Sequence, residues 1–406
     1  MFTVRVRDRG SRARAGTLHL AHGEVATPAF VPLATRGAVK TLEPRDVAGL
    51  GYEMVLGNTF HLMLAPGPEL IAELGGLHEM MRWPAPIITD SGGFQVFSMG
   101  HGGVADEIKG RRGPQASADS SGSILAVEEQ GVRFRSYLDG GERFLGPETS
   151  MAVQAALSSD IALVLDECTP FHVTRDYTAR SMERTHRWLT RCLDWHEREG
   201  PAGQRVYGIV QGGIEPDLRA ASTQEVAASR CDGIAIGGSL GQDKPQMRAV
   251  VDWTTAELER VAPSRPRHLL GIGEIDDLIE GVRRGIDTFD CAMPTRLGRH
   301  GMALVPDPGR RWRIDLHKPR FRRDREPIMA ACRCPACAQG FSRAYLHYLL
   351  RARELTGLRL VTLHNLSFVA RVMSDLRAAI ERERFDEVAA QLHAGAAPGA
   401  ATRSTS

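Results

Sequence analysis

An α/β fold, organised as a (β/α)8 TIM barrel, is predicted by three features of the 406-residue sequence. Short β-rich apolar runs recur eight times, each closes in a polar or glycine cluster, and helix-like segments lie between them. The runs cover residues 29–33, 53–57, 86–89, 161–165, 205–210, 233–236, 268–272 and 286–289. They are continuously apolar rather than alternating, which marks strands buried on both faces, as in a parallel sheet covered by helices. Residues 147–158, 174–198, 216–229, 246–261 and 275–284 supply the helices. A doubly wound open sheet is the alternative arrangement of the same units.

Two stretches depart from a plain barrel. The third and fourth runs stand far further apart than the roughly 2–6 residues of a usual βα loop. An insertion at 99–146 fills that gap, and its segment 131–146, GVRFRSYLDGGERFLG, alternates about an Asp139-Gly140-Gly141 turn and reads as a hairpin. The preceding residues 100–123 are rich in Gly, Ser and charge and read as a mobile loop. After the eighth run come a cysteine cluster and helices at 342–356 and 366–382. The expected domains are a barrel over 1–320, a helical subdomain over 321–393 packed on it, and a disordered low-complexity tail over 394–406.

Composition narrows the function. A hydrophobic content of 42% supports a large core and excludes general disorder. No apolar run approaches the roughly 18 residues needed to cross a bilayer, and no signal-peptide pattern opens the chain, so a soluble cytoplasmic protein is expected. Formal net charge is only +2, yet residues 283–325 hold twelve Arg or Lys against five Asp, a local +7. That stretch favours a polyanion; the competing explanation is a general preference for Arg over Lys in this chain.

In a TIM barrel, chemistry sits at the C-terminal ends of the strands. There the sequence places Asp90 (TDSGGFQVFS), Asp166 (DECTPF), Gln211 (GIVQGG), Gly237-Gly238 and Asp290 (FDCAMPTR). Carboxylates facing one mouth suit reaction at a glycosidic carbon, one attacking the sugar and another moving a proton. Any one of them alone would more ordinarily be a helix cap or an ion-pair partner. The glycines beside them admit a planar ligand close to backbone amides, and Phe94 offers a stacking face, although each glycine pair equally suits a tight turn.

Cys332, Cys334 and Cys337 place three thiolates in one loop among only seven cysteines, which fits a zinc site in a reducing compartment better than disulfides. A tetrahedral site needs a fourth ligand, and His347 and His364 are both candidates on spacing alone.

These motifs resemble the tRNA-guanine transglycosylases over nearly the whole chain. The likeness is carried by TPAFVPLATRGAVKTL, GNTFHLMLAPG, TDSGGFQVFS, SYLDG, SDIALVLDECTP, SMERTHRW, GIDTFDCAMPTRLGRHG, the CxCxxC cluster, SRAYLHYLLRA and the His364-Asn365 pair. The resemblance implies exchange of the wobble guanine of tRNA anticodons for a free 7-deazaguanine base, as in queuosine biosynthesis, through a covalent enzyme–RNA intermediate. It makes Asp290 the nucleophile and Asp90 the general acid/base. The base pocket becomes Asp90, Ser91, Phe94, Asp166, Gln211, Gly237, Gly238 and Leu270, and Arg296 and Arg299 contact tRNA. His364 becomes the fourth ligand of one structural zinc per chain, and the protein a homodimer without membrane partners. Cys168 in DECT resembles the bacterial branch, which uses 7-aminomethyl-7-deazaguanine. Gly237-Gly238-Ser239-Leu240-Gly241-Gln242 departs from the bacterial GGLAVGE pattern, which leaves the preferred base open. Lys109, Arg111 and Arg112 of the insertion are within reach of RNA or form a solvated loop. A paired-carboxylate glycoside or nucleoside hydrolase and a non-catalytic tRNA-binding subunit are the competing functions; the presence of Asp90, Asp166 and Asp290 together argues against the second.

Overall fold

The computed structural model describes residues 2–100, 123–170 and 172–399. Three N-terminal strands, β1 (Phe2–Arg7), β2 (Arg14–Leu20) and β3 (Gly23–Thr27), form an antiparallel sheet. Of its strands β1, FTVRVR, alternates in period two, whereas β2, RAGTLHL, lacks the pattern of a half-exposed strand, so the sheet as a whole is not apparent from sequence. Arg14 fixes this sheet to the barrel: its guanidinium donates to both carboxylate oxygens of Asp287, at 2.9 and 2.5 Å, with both side chains fully buried.

The barrel follows: β4 (Ala29–Val31), β5 (Leu33–Ala34), β6 (Val55–Gly57) and β7 (Ile87–Thr89). Next comes the insertion, with β8 (Ile124–Val127), β9 (Val132–Arg135) and β10 (Glu142–Leu145) as an antiparallel sheet. Its β9–β10 pair is the expected hairpin, and the described part of the expected mobile loop is confined to its two ends, residues 101–122 lying outside the described residues. Strands β11 (Ile161–Leu163), β12 (Arg205–Val210), β13 (Gly233–Ile236), β14 (Arg267–Leu269) and β15 (Thr288–Asp290) complete the ring. All neighbours in the order β4-β15-β14-β13-β12-β11-β7-β6-β5 are parallel. Nine segments fill eight positions because β4 and β5 are halves of one strand, divided by Pro32. Proline has no N–H for the ladder, while its carbonyl still accepts from Leu56 N at 3.0 Å. Every barrel strand from β6 to β15 other than β12 is buried along its whole length, as its continuous apolar run requires.

Helices cover the outside. Arg175–Glu199 starts at Thr174, whose hydroxyl accepts from Tyr177 N, and Lys244–Val261 starts at Asp243, whose carboxylate accepts from Gln246 N. Beyond β15 lie the short helix Met293–Arg299, a hairpin of β16 (Met302–Leu304) and β17 (Arg313–Asp315), and the helix Arg343–Arg351. The helix expected at 366–382 in fact begins eleven residues earlier and runs unbroken from Leu355 to Glu381, so His364 lies within a helix and not between two. Gly357 suggests a break, but it serves a crossing: an added Cβ would stand 2.9 Å from the Cβ of Leu349. The weak helix former Asn365 is held by its side chain, which donates to Pro294 and Met302 carbonyls and accepts from Leu304 N. This long helix packs against β4, the helix Ile275–Arg283 and Met293–Arg299, and Arg359 on it pairs with Asp46 at 2.7 Å. It thereby fills the gap in the outer ring between Ile275–Arg283 and the first barrel helix, Pro44–Gly49. Residues 394–399 follow the last helix as turns, where Gly399 N donates to Asp375; residues 400–406 of the expected tail lie outside the described residues. Among the described residues no helix is long and apolar enough to cross a membrane.

Candidate active site and metal centre

The side chains singled out at the strand ends meet at one mouth. Asp90 follows β7, and its Oδ1 accepts from the amides of Thr59 (2.9 Å) and Gly92 (3.2 Å) while Asn58 Nδ2 donates to Oδ2. Asn58 follows β6 and caps the helix Thr59–Leu64 through His61 N, so one residue starts that helix and orients the acid. Burial pushes the Asp90 carboxyl up to about 7; the three hydrogen bonds oppose the rise and the charge of Asp290 adds to it.

Asp290 ends β15 and is buried. Its Oδ1 accepts from Gly271 N at 3.0 Å and meets His268 Nε2 at 3.2 Å; His268 in turn reaches Thr288 Oγ1 through Nδ1 at 2.8 Å. Among the described residues Oδ2 carries no hydrogen bond, which leaves that oxygen to face the mouth.

Asp166 forms the third acid. Gln211 Nε2 donates to its Oδ2 at 2.6 Å and Ser91 Oγ to its Oδ1 at 3.3 Å. Burial pushes this carboxyl up to about 6 in spite of both bonds. Gly238 is required here: its φ is +72°, and a Cβ would fall 2.1 Å from Gln211 Oε1. Gly93 is equally confined, since a Cβ there would meet the Asp166 carbonyl oxygen at 2.8 Å. Gly237 lies against Leu270, and Phe94, at the start of the helix Gly93–Gly100, is partly buried against the core.

The pocket also uses residues the sequence did not single out. Arg219 is completely buried, and its guanidinium donates to the carbonyls of Gly213 (2.8 Å), Gly237 (3.0 Å) and Ser239 (2.9 Å), tying the loops after β12 and β13 together. Burial lowers its pKa to about 9. Cys168 is buried beside the Gly238 amide, which points at its sulfur. Asn58 stands inside a motif already singled out, and His268 opens the apolar run 268–272; both were legible signals. Arg219 left none, since an arginine on a helix is ordinarily solvated.

Arg296 and Arg299 project from the helix Met293–Arg299. Burial and the neighbouring Arg296 lower the pKa of Arg299, and burial together with Arg299 and Arg36 lowers that of Lys40. Among the described residues Arg36, Lys40, Arg296 and Arg299 form no ion pair, and Arg299 Nε is buried without a partner. Crowded cations without carboxylates make an anion site. The inserted hairpin reaches the same rim: the Tyr137 hydroxyl lies 2.8 Å from Arg36 and 2.9 Å from His61 Nδ1.

Cys332, Cys334, Cys337 and His364 converge, all buried, with ligand atoms within 4.8 Å of one another. His364 Nδ1 stands 3.6 Å from Cys334 Sγ and 3.4 Å from Cys337 Sγ. Its Nε2 donates to the Leu304 carbonyl at 2.7 Å, the outer bond that directs Nδ1 toward a metal. His347 faces the Leu316 carbonyl at 2.8 Å and takes no part. The donor set and its outer bond fit a closed tetrahedral metal site.

Comparison with known proteins agrees with this geometry. A family model described as "Queuine tRNA-ribosyltransferase" matches residues 8–397. A protein of that name from Roseiflexus sp. (strain RS-1) is 49% identical over 399 residues, covering 96% of this chain and 98% of that protein. Others of the same name, from Herpetosiphon aurantiacus and Pelotomaculum thermopropionicum, are each 44% identical, covering 95% and 94% of this chain and 90% and 95% of their own lengths.

Proposed function

The chain belongs to the queuine tRNA-ribosyltransferase family, enzymes that exchange guanine in tRNA, and from that premise we propose that Asp290 and Asp90 carry out the exchange by double displacement at one ribose carbon. Replacing one base by another with the configuration kept is achieved by two successive inversions. The Asp290 Oδ2 attacks C1′ of the target guanosine and the bond to the base breaks. Asp90, whose carboxyl is held near 7, gives its proton to a ring nitrogen of the departing guanine. Asp166 and Gln211 hold the guanine-like edge, and the Gly238 amide turns from Cys168 to donate to the base carbonyl. Ser91, Gly237, Leu270 and Phe94 complete the slot. A free 7-deazaguanine base then enters and Asp90 takes its proton. Its nitrogen attacks C1′ and Asp290 leaves as carboxylate. Asp90 gives one proton to the departing guanine and regains another from the incoming base, which suits a group that titrates near neutrality.

Arg296 and Arg299 bind the RNA backbone or bases beside the target, supported by the unpaired charge around them. One structural zinc per chain is held by Cys332, Cys334, Cys337 and His364; bound there, it crosslinks the loop after β17 to the long helix. Exposed Tyr345, Tyr348 and Leu355 beyond this centre support a homodimer. Its subunit mass in solution checks that assignment. The bacterial-type DECT segment supports 7-aminomethyl-7-deazaguanine as the incoming base.

The observation that carries the mechanism is the single mouth containing one carboxylate with a free oxygen and another poised near neutral pH. Unmodified tRNA incubated with labelled guanine tests it. Label enters tRNA without net base release; release of base without incorporation would mark a hydrolase. A denaturation-resistant RNA adduct forms with the wild type and not with Asp290→Asn. An adduct at wild-type level in that variant would overturn the nucleophile assignment.

A further inference from the structure

The exchange chemistry leaves unused a histidine–carboxylate cluster at the opposite end of the barrel. A cavity of about 740 Å³ opens there, lined in part by His22, His78, Asp160, Ser159 and Gln204. Its residues come from three separate elements. His22 occupies the turn between β2 and β3, His78 lies in the helix Gly76–Met81, and Asp160 immediately precedes β11. Asp160 is thus at the start of the strand whose far end leads to Asp166, so cluster and active site are separated by the length of the barrel.

His22 Nδ1 stands 2.9 Å from Asp160 Oδ1 and His78 Nε2 3.1 Å from Oδ2. One ligand atom from each of the three residues lies within 4.8 Å of the others. On a tetrahedral cation with bonds of about 2.0–2.1 Å, neighbouring ligand atoms stand roughly 3.3 Å apart. Each imidazole nitrogen stands a few tenths of an ångström closer than that to its own oxygen of the Asp160 carboxylate. The two imidazoles are stacked, with centroids 3.6 Å apart and planes 19° from parallel.

The carboxylate has the outer support that metal ligands ordinarily receive. The His22 amide donates to Oδ1 at 3.0 Å and the Ile87 amide to Oδ2 at 2.8 Å. With the two imidazoles, these amides give the buried Asp160 a hydrogen-bond partner at each oxygen from both backbone and side chain. Arg82, a cation on the cavity wall, is paired with Glu79 at 2.7 Å. Asp160 and His78 are buried while His22 is exposed, which leaves one side of the cluster open to the cavity.

We propose that His22, His78 and Asp160 form a second, exchangeable site for a divalent transition cation of the zinc type, with its fourth position open to the cavity. Imidazole and carboxylate together suit such a cation. On binding, each imidazole bonds the metal through the nitrogen that faces Asp160, and the proton there moves to the other ring nitrogen. The cation clamps the N-terminal sheet to the floor of the barrel, a structural role apart from base exchange.

Equilibrium dialysis of the full chain against Zn2+ and Co2+, with the cysteine centre already loaded, tests the site. The wild type takes up a second equivalent, and added Zn2+ raises its Tm. Co2+ entering this site shows ligand-field bands without the thiolate-to-cobalt charge transfer of the cysteine centre. His22→Ala, a change at an exposed turn, loses the second equivalent and the rise in Tm while keeping the first. His78→Gln loses it too. Saturation of the wild type at one equivalent would overturn the proposal, as would a second equivalent retained in both variants.

Discussion

Gly238→Ala separates the two demands that the base pocket makes on one residue. The backbone demand is conformational: φ is +72°, and an L-residue in the left-handed region costs about 1–2 kcal/mol. For a chain this large that corresponds to a fall in Tm of roughly 1–2 °C. The pocket demand is steric. The new Cβ would stand 2.1 Å from Gln211 Oε1, so the Gln211 amide must swing and its 2.6 Å bond to Asp166 is lost. A hydrogen bond to a charged group is worth about 1.5–3 kcal/mol, which converts to a roughly 10- to 150-fold weaker grip on the guanine-like base. Steady-state incorporation of labelled guanine into tRNA, with base and tRNA varied separately, reads the effect. KM for the base rises within that range, KM for tRNA changes little, and metal content is unchanged. Gln211→Ala produces a similar rise, and the double variant is less than additive because both changes remove one contact. A base KM within twofold of wild type in Gly238→Ala, despite the lower Tm, would refute the assignment of the Gln211–Asp166 pair to base binding.

The raised pKa of Asp90 has a definite sign: kcat/KM for tRNA falls as pH rises through about 7, where the proton donor is lost, and Asp90→Asn removes that limb. The native state holds a proton there that the unfolded chain releases near its ordinary carboxylate value, so stability declines from about pH 4 to pH 7 and the decline is absent in Asp90→Asn. Cys334→Ser empties the cysteine centre and weakens tRNA binding as well as lowering Tm, because Gly298 of the arginine-bearing helix sits against Thr362, two residues from His364; elemental analysis beside tRNA affinity checks it, and loss of metal with unchanged affinity would disconnect the two. Arg296→Ala and Arg299→Ala each weaken tRNA binding and flatten the dependence of log Kd on log salt concentration by about one contact, whereas unchanged binding and slope would remove them from the RNA site. His268→Phe, which deprives Asp290 Oδ1 of a 3.2 Å neighbour, lowers kcat by roughly tenfold or more with KM for the base unchanged, and His268→Gln recovers part of the loss; equal rates in all three proteins would deny His268 a positioning role.

The barrel was legible because its strands are buried on both faces and most therefore read as apolar runs, a pattern that survives without any knowledge of neighbours. The acids were legible for a related reason: a polar residue directly after such a run has only the mouth to face. What escaped was whatever depends on distant partners. The N-terminal sheet is held by the Arg14–Asp287 pair, 273 positions apart in the chain, and β2 has no periodicity of its own. Arg219 became a crosslink of three carbonyls only once two loops had closed over it. The full length of the helix Leu355–Glu381 is not apparent locally: Gly357 and Asn365 are poor helix formers, and their compensation lies in Leu349, Pro294 and Met302. For the cysteines, spacing identified three ligands, while the choice between His347 and His364 required three-dimensional proximity.

The position of that long helix in the outer ring has a consequence for synthesis. All eight strand positions are encoded by residue 290, yet the helix that covers β4 begins at Leu355, after all three cysteines. A nascent chain that has emerged only through β15 still exposes the apolar outer surface of its first strand, and it can neither close that seam nor assemble the cysteine–histidine centre. Barrel completion is therefore a late event, coupled to arrival of the last eighth of the polypeptide. Ribosome-bound chains stopped before Leu355 should remain protease-sensitive along the seam between β15 and β4, and extension through Glu381 should protect it.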